Sequence, residues 1–397
     1  MPEKTSTPAL PHLPNISRRT ALRSLGLFAG SGLLGLGTAR AQDATGSTPL
    51  VDTSAQARYP ELSFINLAGN ENPFGPSRRV TMTLMREAAN SSRYPFRETN
   101  ILRDEIAAAE GVPPDHILIG NGGDEVLGFL GVEYGKPGVE IVATQPTYLQ
   151  LMDHAERRGA KIRWVAATKP AMQHDLAAMK AAVNDHTALV YICNPDTPSG
   201  TMRTPAEIEA FCREVAPRVP VVLDEVYLDL LDDFSEQTQV GLVREGLSVL
   251  ICRSFSKLHA LAGHRIGYLI GPPSILQRLE RHRLSGLNFL GVACARESLR
   301  DTAFHLFSRR SIRDGRAALG ALLDELGLPY IPSFGNFIFH STGTPIREFQ
   351  DYMRDRRLFV GRPFPPYDEW VRISIGLPQE MRVYERALRE WHASQQT

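Results

Sequence analysis

The sequence predicts an α/β fold with a mostly parallel seven-stranded sheet flanked by helices, together with a smaller α+β domain. Seven short apolar runs recur between residues 117 and 270, most of them separated by helical patterns. These runs lack the apolar/polar alternation of a half-exposed sheet, which indicates parallel strands buried on both faces. After Arg281 the pattern changes to shorter strand-like runs and further helices, which is typical of an α+β unit.

Each element is predicted from its own run of residues. The expected strands of the large sheet are Ile117–Gly120, Val139–Ala143, Ile162–Ala166, Ala188–Cys193, Val219–Leu223, Ser248–Cys252 and Ile266–Ile270. Helical patterns between them include Asp175–Val183 and Pro205–Val215. The smaller domain is expected to contain strands in Tyr330–Pro332, Asn336–His340, Leu358–Val360 and Val371–Ile375, and helices near Pro345–Arg356 and Pro378–His392. We expect the large domain to cover residues 63–290 and the small domain residues 291–397.

Residues 1–41 have the pattern of an export signal. Arg18 and Arg19 precede a soft apolar stretch, residues 25–37, which is shorter than the ~20 apolar residues of a spanning helix. Small residues that end at Ala41 fit a cleavage site. The paired arginines specify the twin-arginine variety, a bacterial address that a receptor reads. We therefore expect cleavage after Ala41, a periplasmic location and no stable membrane anchor, with residues 42–62 as a polar N-terminal arm.

Charge and cysteine content point to small-molecule partners. The full chain carries 44 Lys and Arg and 44 Asp and Glu, and the part after Ala41 carries 39 against 43, a net charge of −4. This mild acidic balance, without a dense basic block, argues against nucleic acid as a partner. The four cysteines contain no C-x-x-C pair, so no metal site is expected. They are interpreted as buried thiols, although an oxidising compartment would permit a disulfide.

Polar and glycine-rich segments follow four of the predicted strands. They are Gly120–Glu125, Asn194–Gly200, Asp224–Tyr227 and Ser254–Lys257. In parallel α/β sheets, ligands bind beyond the carboxyl ends of the strands, so we expect these segments to form one site. The glycines of the first segment allow close backbone approach, and N–H groups at a helix start could hold a phosphate.

These segments, in this order, resemble the fold-type I, pyridoxal-phosphate-dependent aminotransferases of class I and II, and among them the histidinol-phosphate aminotransferase branch. The resemblance extends from Asn66–Pro76 through Arg93–Pro95 to Arg372–Gly376, and it includes Arg265 eight residues after Lys257. It implies an enzyme that moves an amino group between an amino acid, or a histidinol-phosphate-like amine, and a 2-oxo acid. The implied cofactor is pyridoxal 5'-phosphate, and no metal is implied.

The resemblance also implies roles for individual residues around the cofactor ring. Lys257 would form a Schiff base with the cofactor and then move a proton during the reaction. Asp224 would pair with the pyridine nitrogen and favour its protonated form. Tyr227 and Asn194 would donate to the phenolic oxygen of the ring, and Tyr148 would stack on the ring face.

Further matching residues would bind the cofactor phosphate and the substrate. The implied phosphate ligands are Gly122, Gly123, Asp124 through its backbone N–H, Ser254, Ser256 and Arg265. Arg372 resembles the arginine that binds the substrate carboxylate, with Arg362 and Asn194 as additional substrate-binding residues. Tyr94 would reach the phosphate of a neighbouring subunit, which implies a homodimer with shared active sites.

Three departures from the family pattern bear on the substrate. Phe74 replaces a tyrosine whose hydroxyl could meet a substrate phosphate. His259 and His264 stand where the family usually has apolar or small residues, and no role is assigned to them. The family form Asn-Pro-Asn-Asn-Pro-Thr-Gly is altered at three positions, by Asp196, Thr197 and Ser199.

Two kinds of alternative remain open at this point. Relatives of this fold use the same lysine and aspartate in lyase, decarboxylase and oxidase reactions, so the fold does not decide the reaction. A non-catalytic binding protein is the other alternative. Histidinol phosphate is a cytoplasmic intermediate that an exported enzyme would rarely meet, so the amino donor is left open as well.

Overall fold

The computed structural model describes residues 64–396, so the predicted export signal and arm, residues 1–62, lie outside the described residues. The strands are β1 Ile65–Leu67, β2 Ile117–Gly120, β3 Glu140–Gln145, β4 Lys161–Ala166, β5 Thr187–Cys193, β6 Val221–Asp224, β7 Val249–Ser254, β8 Gly267–Ile270, β9 Tyr330–Ile331, β10 Phe337–Ser341, β11 Leu358–Val360 and β12 Trp370–Ser374. The α-helices are α1 Arg78–Glu87, α2 Phe96–Glu110, α3 Gly123–Tyr134, α4 Gln150–Arg157, α5 Leu176–Ala182, α6 Pro205–Val215, α7 Phe234–Gln237, α8 Val240–Arg244, α9 Pro273–Glu280, α10 Phe289–Leu299, α11 Thr302–Leu326, α12 Ile346–Asp355 and α13 Pro378–Ser394.

Strands β2 to β8 form one seven-stranded sheet in the order β2-β8-β7-β6-β5-β3-β4. Within this sheet β8 is antiparallel to both of its neighbours, and the other six strands share one direction. The predicted mostly parallel seven-stranded sheet is thereby confirmed. Successive residues of β5 enter different hydrophobic clusters, with Val190 and Ile192 in one and Leu189 and Tyr191 in the other. Both faces of the sheet are buried, which explains why its strands lack alternation in the sequence.

The C-terminal part contains a three-stranded antiparallel sheet in the order β12-β10-β9. Strand β11 does not join it, but pairs in parallel with β1, placing Ile65 opposite Leu358. Leu67 belongs to the hydrophobic cluster of this part, whereas Val292 and Cys294 belong to a cluster of the large sheet. These segments pack across the predicted domain boundaries at residues 63 and 290, and the boundaries stay a prediction.

Local sequence explains where α6 begins. Thr204 accepts a hydrogen bond from the N–H of Glu207 through its hydroxyl, and Glu207 accepts one from the N–H of Thr204 through its carboxylate. This reciprocal capping, with Pro205 at the first helical position, fits a helix start. The predicted helix Pro205–Val215 agrees with the structure residue for residue.

The interior of the described part contains the four cysteines as buried, unpaired thiols. Burial raises the pKa of each of them above its usual range, most strongly for Cys193 and Cys252.

Within residues 64–396, no helix combines the length and the apolar character needed to cross a bilayer.

Candidate active site

A cavity of about 370 Å³ opens at the carboxyl ends of three neighbouring strands. Cys193, Asp224 and Ser254, the last residues of β5, β6 and β7, line it together with Gly123 and Asp124 at the start of α3. Its volume lies within the range of small-molecule sites. The cavity therefore occupies the sheet edge at which the sequence predicts a site.

Most of the predicted site residues line this cavity. They are Gly123, Asp124, Tyr148, Asp224, Tyr227, Ser254, Ser256, Lys257, Arg265 and Arg372. Gly122 lies next to the guanidinium of Arg265, which lines the cavity. Asn194, Arg362 and Tyr94 do not belong to its lining.

The Lys257 amine is held by the loop that follows β1. Its Nζ donates to the backbone oxygen of Asn70 at 3.0 Å and lies 5.2 Å from the centre of the Tyr227 ring. Asn72 donates from its amide to the backbone oxygens of Lys257 and Leu258, both at 3.1 Å. No carboxylate forms a salt bridge with Lys257 within the described part of the chain. The side chain of Lys257 therefore lines the cavity without a salt-bridge partner among the described residues.

Asn70 also orients the Tyr227 hydroxyl. The Asn70 amide donates to the Tyr227 oxygen at 2.9 Å, and its own backbone N–H donates to the hydroxyl of Ser374, the last residue of β12. Because the Tyr227 oxygen already accepts this bond, its own proton is free to be donated to a group in the cavity. Asn70 thereby joins the C-terminal sheet to two predicted catalytic residues, and the sequence analysis assigned it no role.

Asp224 presents a buried carboxylate to the cavity. Its side chain is held by the Tyr191 hydroxyl, which donates to Oδ2 at 2.8 Å, and by a longer bond from the N–H of Val226 to Oδ1 at 3.4 Å. Burial raises the pKa of Asp224 to about 6. A cationic group placed against this carboxylate would stabilise its ionised form.

The predicted phosphate ligands surround the start of α3. Gly122 has a φ of +85°, and a Cβ atom at this position would lie 2.3 Å from Nη2 of Arg265. Arg265 Nη2 donates to Asp124 Oδ2 at 2.8 Å, and the Tyr148 hydroxyl donates to Asp124 Oδ1 at 2.6 Å. Burial raises the pKa of Tyr148 far above its usual value, so this phenol is a neutral donor. The helix start, Arg265 and the nearby serine hydroxyls form a set of donors suited to a phosphate.

Arg372, on β12, is a half-buried cation without a carboxylate partner in residues 64–396. Its Nη1 donates to the Thr197 hydroxyl at 2.9 Å and its Nη2 to the backbone oxygen of Ala68 at 2.6 Å, while Nε has no hydrogen-bond partner among the described residues. The rings of Phe337 and Phe364 lie 5.5 and 5.3 Å from the guanidinium carbon. Burial lowers the pKa of Arg372. An anion that enters the cavity would meet a guanidinium that is already oriented.

Asn194 stays a prediction, because it does not belong to the lining of the cavity and nothing in the structure tests its role. Its side chain accepts from the N–H of Arg203 at 2.8 Å and donates one of its two amide hydrogens to the backbone oxygen of Arg203 at 3.2 Å. The loop turns back on itself through backbone hydrogen bonds between Asp196 and Gly200 and between Asp196 and Thr201. Thr197, at the tip of this turn, lines the cavity instead. The Pro-Ser-Gly sequence that follows Thr197 was the available signal for this position.

Arg362 and Tyr94 also lie away from the cavity of their own chain. Arg362 is exposed, with Nη1 on the backbone oxygen of Pro363 and its guanidinium carbon 4.2 Å from the centre of the Phe364 ring. Tyr94 is 80% exposed and packs beside Phe96. The roles of Arg362 in substrate binding and of Tyr94 at the phosphate of a neighbouring subunit stay predictions.

The two unexplained histidines have different surroundings. His259 shares hydrogen bonds with Ser298 at 2.8 Å and His305 at 3.2 Å, and burial lowers its pKa well below the usual value. Partial burial lowers the pKa of His264.

In residues 64–396 no group of three or more potential ligand side chains is arranged to hold a metal ion.

Pyridoxal phosphate fits the residues that line the cavity. The Lys257 amine and the buried Asp224 carboxylate face the same space, and neither forms a salt bridge in the described part of the chain. The backbone of Gly122 is close enough to Arg265 that a side chain would fill the intervening space. These three features match the aldehyde, the ring nitrogen and the phosphate of this cofactor.

Comparisons with known proteins agree with this arrangement. Residues 63–388 match the model of the family "Aminotransferase class I and II". The histidinol-phosphate aminotransferase of Moorella thermoacetica is 36% identical over 330 residues, which cover 82% of this chain and 85% of that protein. The enzyme of the same name from Symbiobacterium thermophilum is 33% identical over 344 residues, covering 86% and 93%. The crystal structure of histidinol-phosphate aminotransferase from Sinorhizobium meliloti in complex with pyridoxal-5'-phosphate superimposes with a TM-score of 0.77 at 28% identity, covering 83% of this chain and 91% of that one.

Proposed function

This chain belongs to the class I and II aminotransferase family and is a pyridoxal-phosphate-dependent aminotransferase, and we propose that Arg372 holds the carboxylate of its amino acid and 2-oxo acid substrates. The observation that carries this proposal is the position of Arg372. It is a half-buried cation without a carboxylate partner among the described residues, and it lines the same cavity as the Lys257 amine. A substrate carboxylate would supply the missing negative charge.

The remaining residues of the site fit distinct tasks in amino transfer. When bound, pyridoxal phosphate withdraws electrons from the bond that breaks at the substrate Cα. Lys257 is placed to attach the cofactor and to take the proton from that carbon. Asp224 would favour a protonated ring nitrogen, and Tyr227 would have a free proton to donate to the ring oxygen. Thr197 and the Ala68 carbonyl keep the Arg372 guanidinium in a fixed plane, so that substrate binding orders few groups.

Paired half-reactions test this proposal. The purified protein, loaded with cofactor, is mixed with single amino acids and the cofactor spectrum is followed. We expect conversion of the aldehyde cofactor to its amine, with one equivalent of 2-oxo acid released, and reversal on addition of a second 2-oxo acid. Loss of carbon dioxide or consumption of oxygen without reversal would support the lyase, decarboxylase or oxidase alternatives. The absence of a borohydride-reducible link to Lys257 would favour a non-catalytic protein.

Two classes of amino donor are candidates: free amino acids and phosphorylated amines. The relatives named above are histidinol-phosphate aminotransferases, which favours a phosphorylated amine as a second candidate. Phe74 weighs against it, because it lacks a hydroxyl and packs edge-on against Phe307 with the ring centres 4.9 Å apart. Phe74 lines a separate cavity between α11 and α13 rather than the Lys257 cavity. A donor screen that compares histidinol phosphate with free amino acids decides between the classes.

We also propose a homodimer in which Tyr94 completes the site of the partner subunit. The support is an exposed face with large apolar side chains: Tyr94 is 80% exposed, Phe96 76% and Met85 69%. Exposed aromatic residues next to each other are typical of a binding surface. Tyr94 does not line the cavity of its own chain, which leaves its hydroxyl available to another chain.

Mixed dimers provide a sharp test of shared sites. Chains carrying Lys257→Ala and chains carrying Tyr94→Phe are each expected to have low activity alone. In a mixed dimer, one of the two sites would combine an intact Lys257 with an intact Tyr94 from the other chain. We therefore expect each mixed dimer to recover about half of the activity of a wild-type dimer. If mixing restores nothing although hybrid dimers form, Tyr94 does not act across the interface.

Export in the folded state is the third part of the proposal. It is supported by the paired Arg18 and Arg19 and by the buried position of the cofactor site, which requires loading before translocation. Replacement of both arginines by alanine should leave the protein in the cytoplasm with its cofactor bound. Normal export of this double variant with bound cofactor would contradict the twin-arginine assignment.

A further inference from the structure

The carboxylate of Asp224 has a dedicated hydrogen-bond donor that no motif predicts. Tyr191 lies on β5, the strand next to β6, and its hydroxyl donates to Asp224 Oδ2 at 2.8 Å. Tyr191 is fully buried, and Asp224 is 1% exposed. The bond joins a residue in the middle of one strand to the last residue of its neighbour.

We propose that Tyr191 is a positioning residue of the cofactor site, whose hydroxyl orients the Asp224 carboxylate so that one oxygen faces the pyridine nitrogen of pyridoxal phosphate. This inference rests on the proposed role of Asp224 as the partner of that nitrogen. It adds a second layer to the site, because Tyr191 itself does not line the cavity.

The hydrogen bonds of Asp224 divide its two oxygens. Oδ2 accepts the 2.8 Å bond from Tyr191, whereas Oδ1 accepts, among the described residues, only the 3.4 Å bond from the N–H of Val226. A carboxylate that is free to rotate about its last bond would present either oxygen to the cavity. A phenol anchored in a rigid sheet removes this freedom, so the ring nitrogen meets an acceptor that is already oriented.

Electrostatics gives Tyr191 a second effect on the same group. Burial disfavours the charged form of Asp224, and the Tyr191 hydrogen bond acts in the opposite direction by lowering the pKa. The other titratable groups that act on Asp224 lie on the elements around it. They are Asp124 at the start of α3, Lys257 after β7, the thiol of Cys193 at the end of β5, the thiol of Cys252 within β7, and the phenol of Tyr148.

Tyr191 could instead serve packing alone, since it belongs to a hydrophobic cluster of the large sheet. A phenylalanine would fill the same space without the hydroxyl, so Tyr191→Phe separates the two roles. Tyr384 provides the matched control. It is also fully buried, its hydroxyl shares one hydrogen bond of 2.7 Å with His340, and it lies in the cluster of the C-terminal part.

The experiment measures equilibrium binding of pyridoxal phosphate to the apo forms of wild type, Tyr191→Phe, Tyr384→Phe, Asp224→Asn and Tyr191→Phe/Asp224→Asn. We expect Tyr191→Phe to weaken cofactor binding roughly tenfold, the scale of one hydrogen bond to a charged group. Tyr384→Phe should reduce thermal stability without changing this affinity. In the Asp224→Asn background, Tyr191→Phe should have no further effect, because the charge that it orients is absent.

Each outcome bears on a separate step. If Asp224→Asn binds the cofactor as tightly as wild type, the premise about Asp224 is wrong and the inference is lost with it. If Asp224→Asn binds weakly and Tyr191→Phe binds normally, only the positioning role is overturned. Should apo Tyr191→Phe fail to fold, the variant is expressed with cofactor and the dissociation rate is measured, which should rise roughly tenfold; an unchanged rate overturns the proposal.

Discussion

The amine of Lys257 donates a 3.0 Å hydrogen bond to the backbone oxygen of Asn70, which lies 187 positions earlier in the chain. The same asparagine donates to Tyr227 through its amide and is bonded to Ser374 at the end of β12. Two predicted catalytic residues are thus held by one loop that connects to the C-terminal sheet. Movement of this loop would change the position of both residues together.

Replacement of Asn70 by glycine tests this connection. Asn70 has a φ of 51°, a backbone conformation that glycine adopts without strain, so the variant removes the amide while the backbone is retained. We expect kcat to fall about tenfold because the Tyr227 hydroxyl loses its donor. The control is Tyr227→Phe in both backgrounds: if the two effects simply multiply, the residues act independently and the connection is wrong.

Lys257→Arg preserves a positive charge but removes the reactive amine. We expect loss of the borohydride-reducible link to the cofactor and a decrease of at least about 10³-fold in amino transfer, since proton transfer at the substrate is lost. Lys180→Arg is the matched control, because Lys180 is an exposed lysine paired with Glu214 at 2.7 Å. Trapping and single-turnover rates, measured side by side, give the result. Normal transfer by the Lys257 variant would remove the basis of the proposed mechanism.

Arg372→Lys replaces a planar fork by a point charge. The new amine cannot contact the Thr197 hydroxyl, the Ala68 carbonyl and a carboxylate in one plane, so we expect kcat/KM for amino acids to fall about 100-fold. Arg362→Lys should have a much smaller effect, because Arg362 is exposed and outside the cavity. Equal losses in the two variants would mean that Arg362 contacts the substrate directly.

Gly122→Ala should weaken cofactor binding through steric displacement of Arg265. The new methyl carbon would lie 2.3 Å from Arg265 Nη2, and the φ of +85° is strained for alanine. Gly138→Ala provides a close control, because its φ is +86° but no atom lies within 4 Å of the added carbon. Both variants should lose about 1 kcal/mol of stability, and only Gly122→Ala should bind pyridoxal phosphate weakly. Comparable affinities would place the phosphate away from Gly122.

The stability of the apo protein should depend on pH through Asp224. Burial raises the pKa of Asp224 from 3.8 to about 6. Between these values the folded state binds more protons than the unfolded state, so this contribution to stability is lost as the pH rises from about 4 to about 6 and is then constant.

Apo Asp224→Asn should therefore be more stable than apo wild type by about 3 kcal/mol at pH 8 and by about half as much at pH 5. Urea unfolding of both apo proteins at the two pH values measures this difference, in which the contributions of other buried groups cancel. An identical difference at pH 5 and pH 8 would show that Asp224 does not titrate in this range.

Local sequence was sufficient for the large sheet and for much of the site. Each of its seven strands contains a short apolar run, and all but the edge strand β4 are largely buried, so their residues alone indicate strands. Lys257, Asp224 and Ser254 could be placed in one site because each follows or ends such a run, and parallel strands end at one edge. Arg372 was found through the resemblance of its own short segment.

Contacts between distant segments were beyond sequence reasoning. The position of Thr197 in the cavity lining follows from a turn closed by hydrogen bonds of Asp196. In the sequence, Tyr191 has only the features of a buried strand residue. Its hydrogen bond with Asp224 forms because β5 and β6 are neighbours in the sheet. The pairing of β1 with β11 joins segments almost 300 residues apart, and neither strand is long enough to indicate its partner.

The amino-acid sequence by itself determined the order of strands and helices, the family and the chemical groups that the site contains. The tertiary structure alone decided which side chains face the cavity and which hold them there, as with Asn70 and Tyr191. The physical reason is that apolar periodicity and chain direction are local properties, whereas a hydrogen bond between buried groups depends on the packing of segments that the chain brings together only when folded.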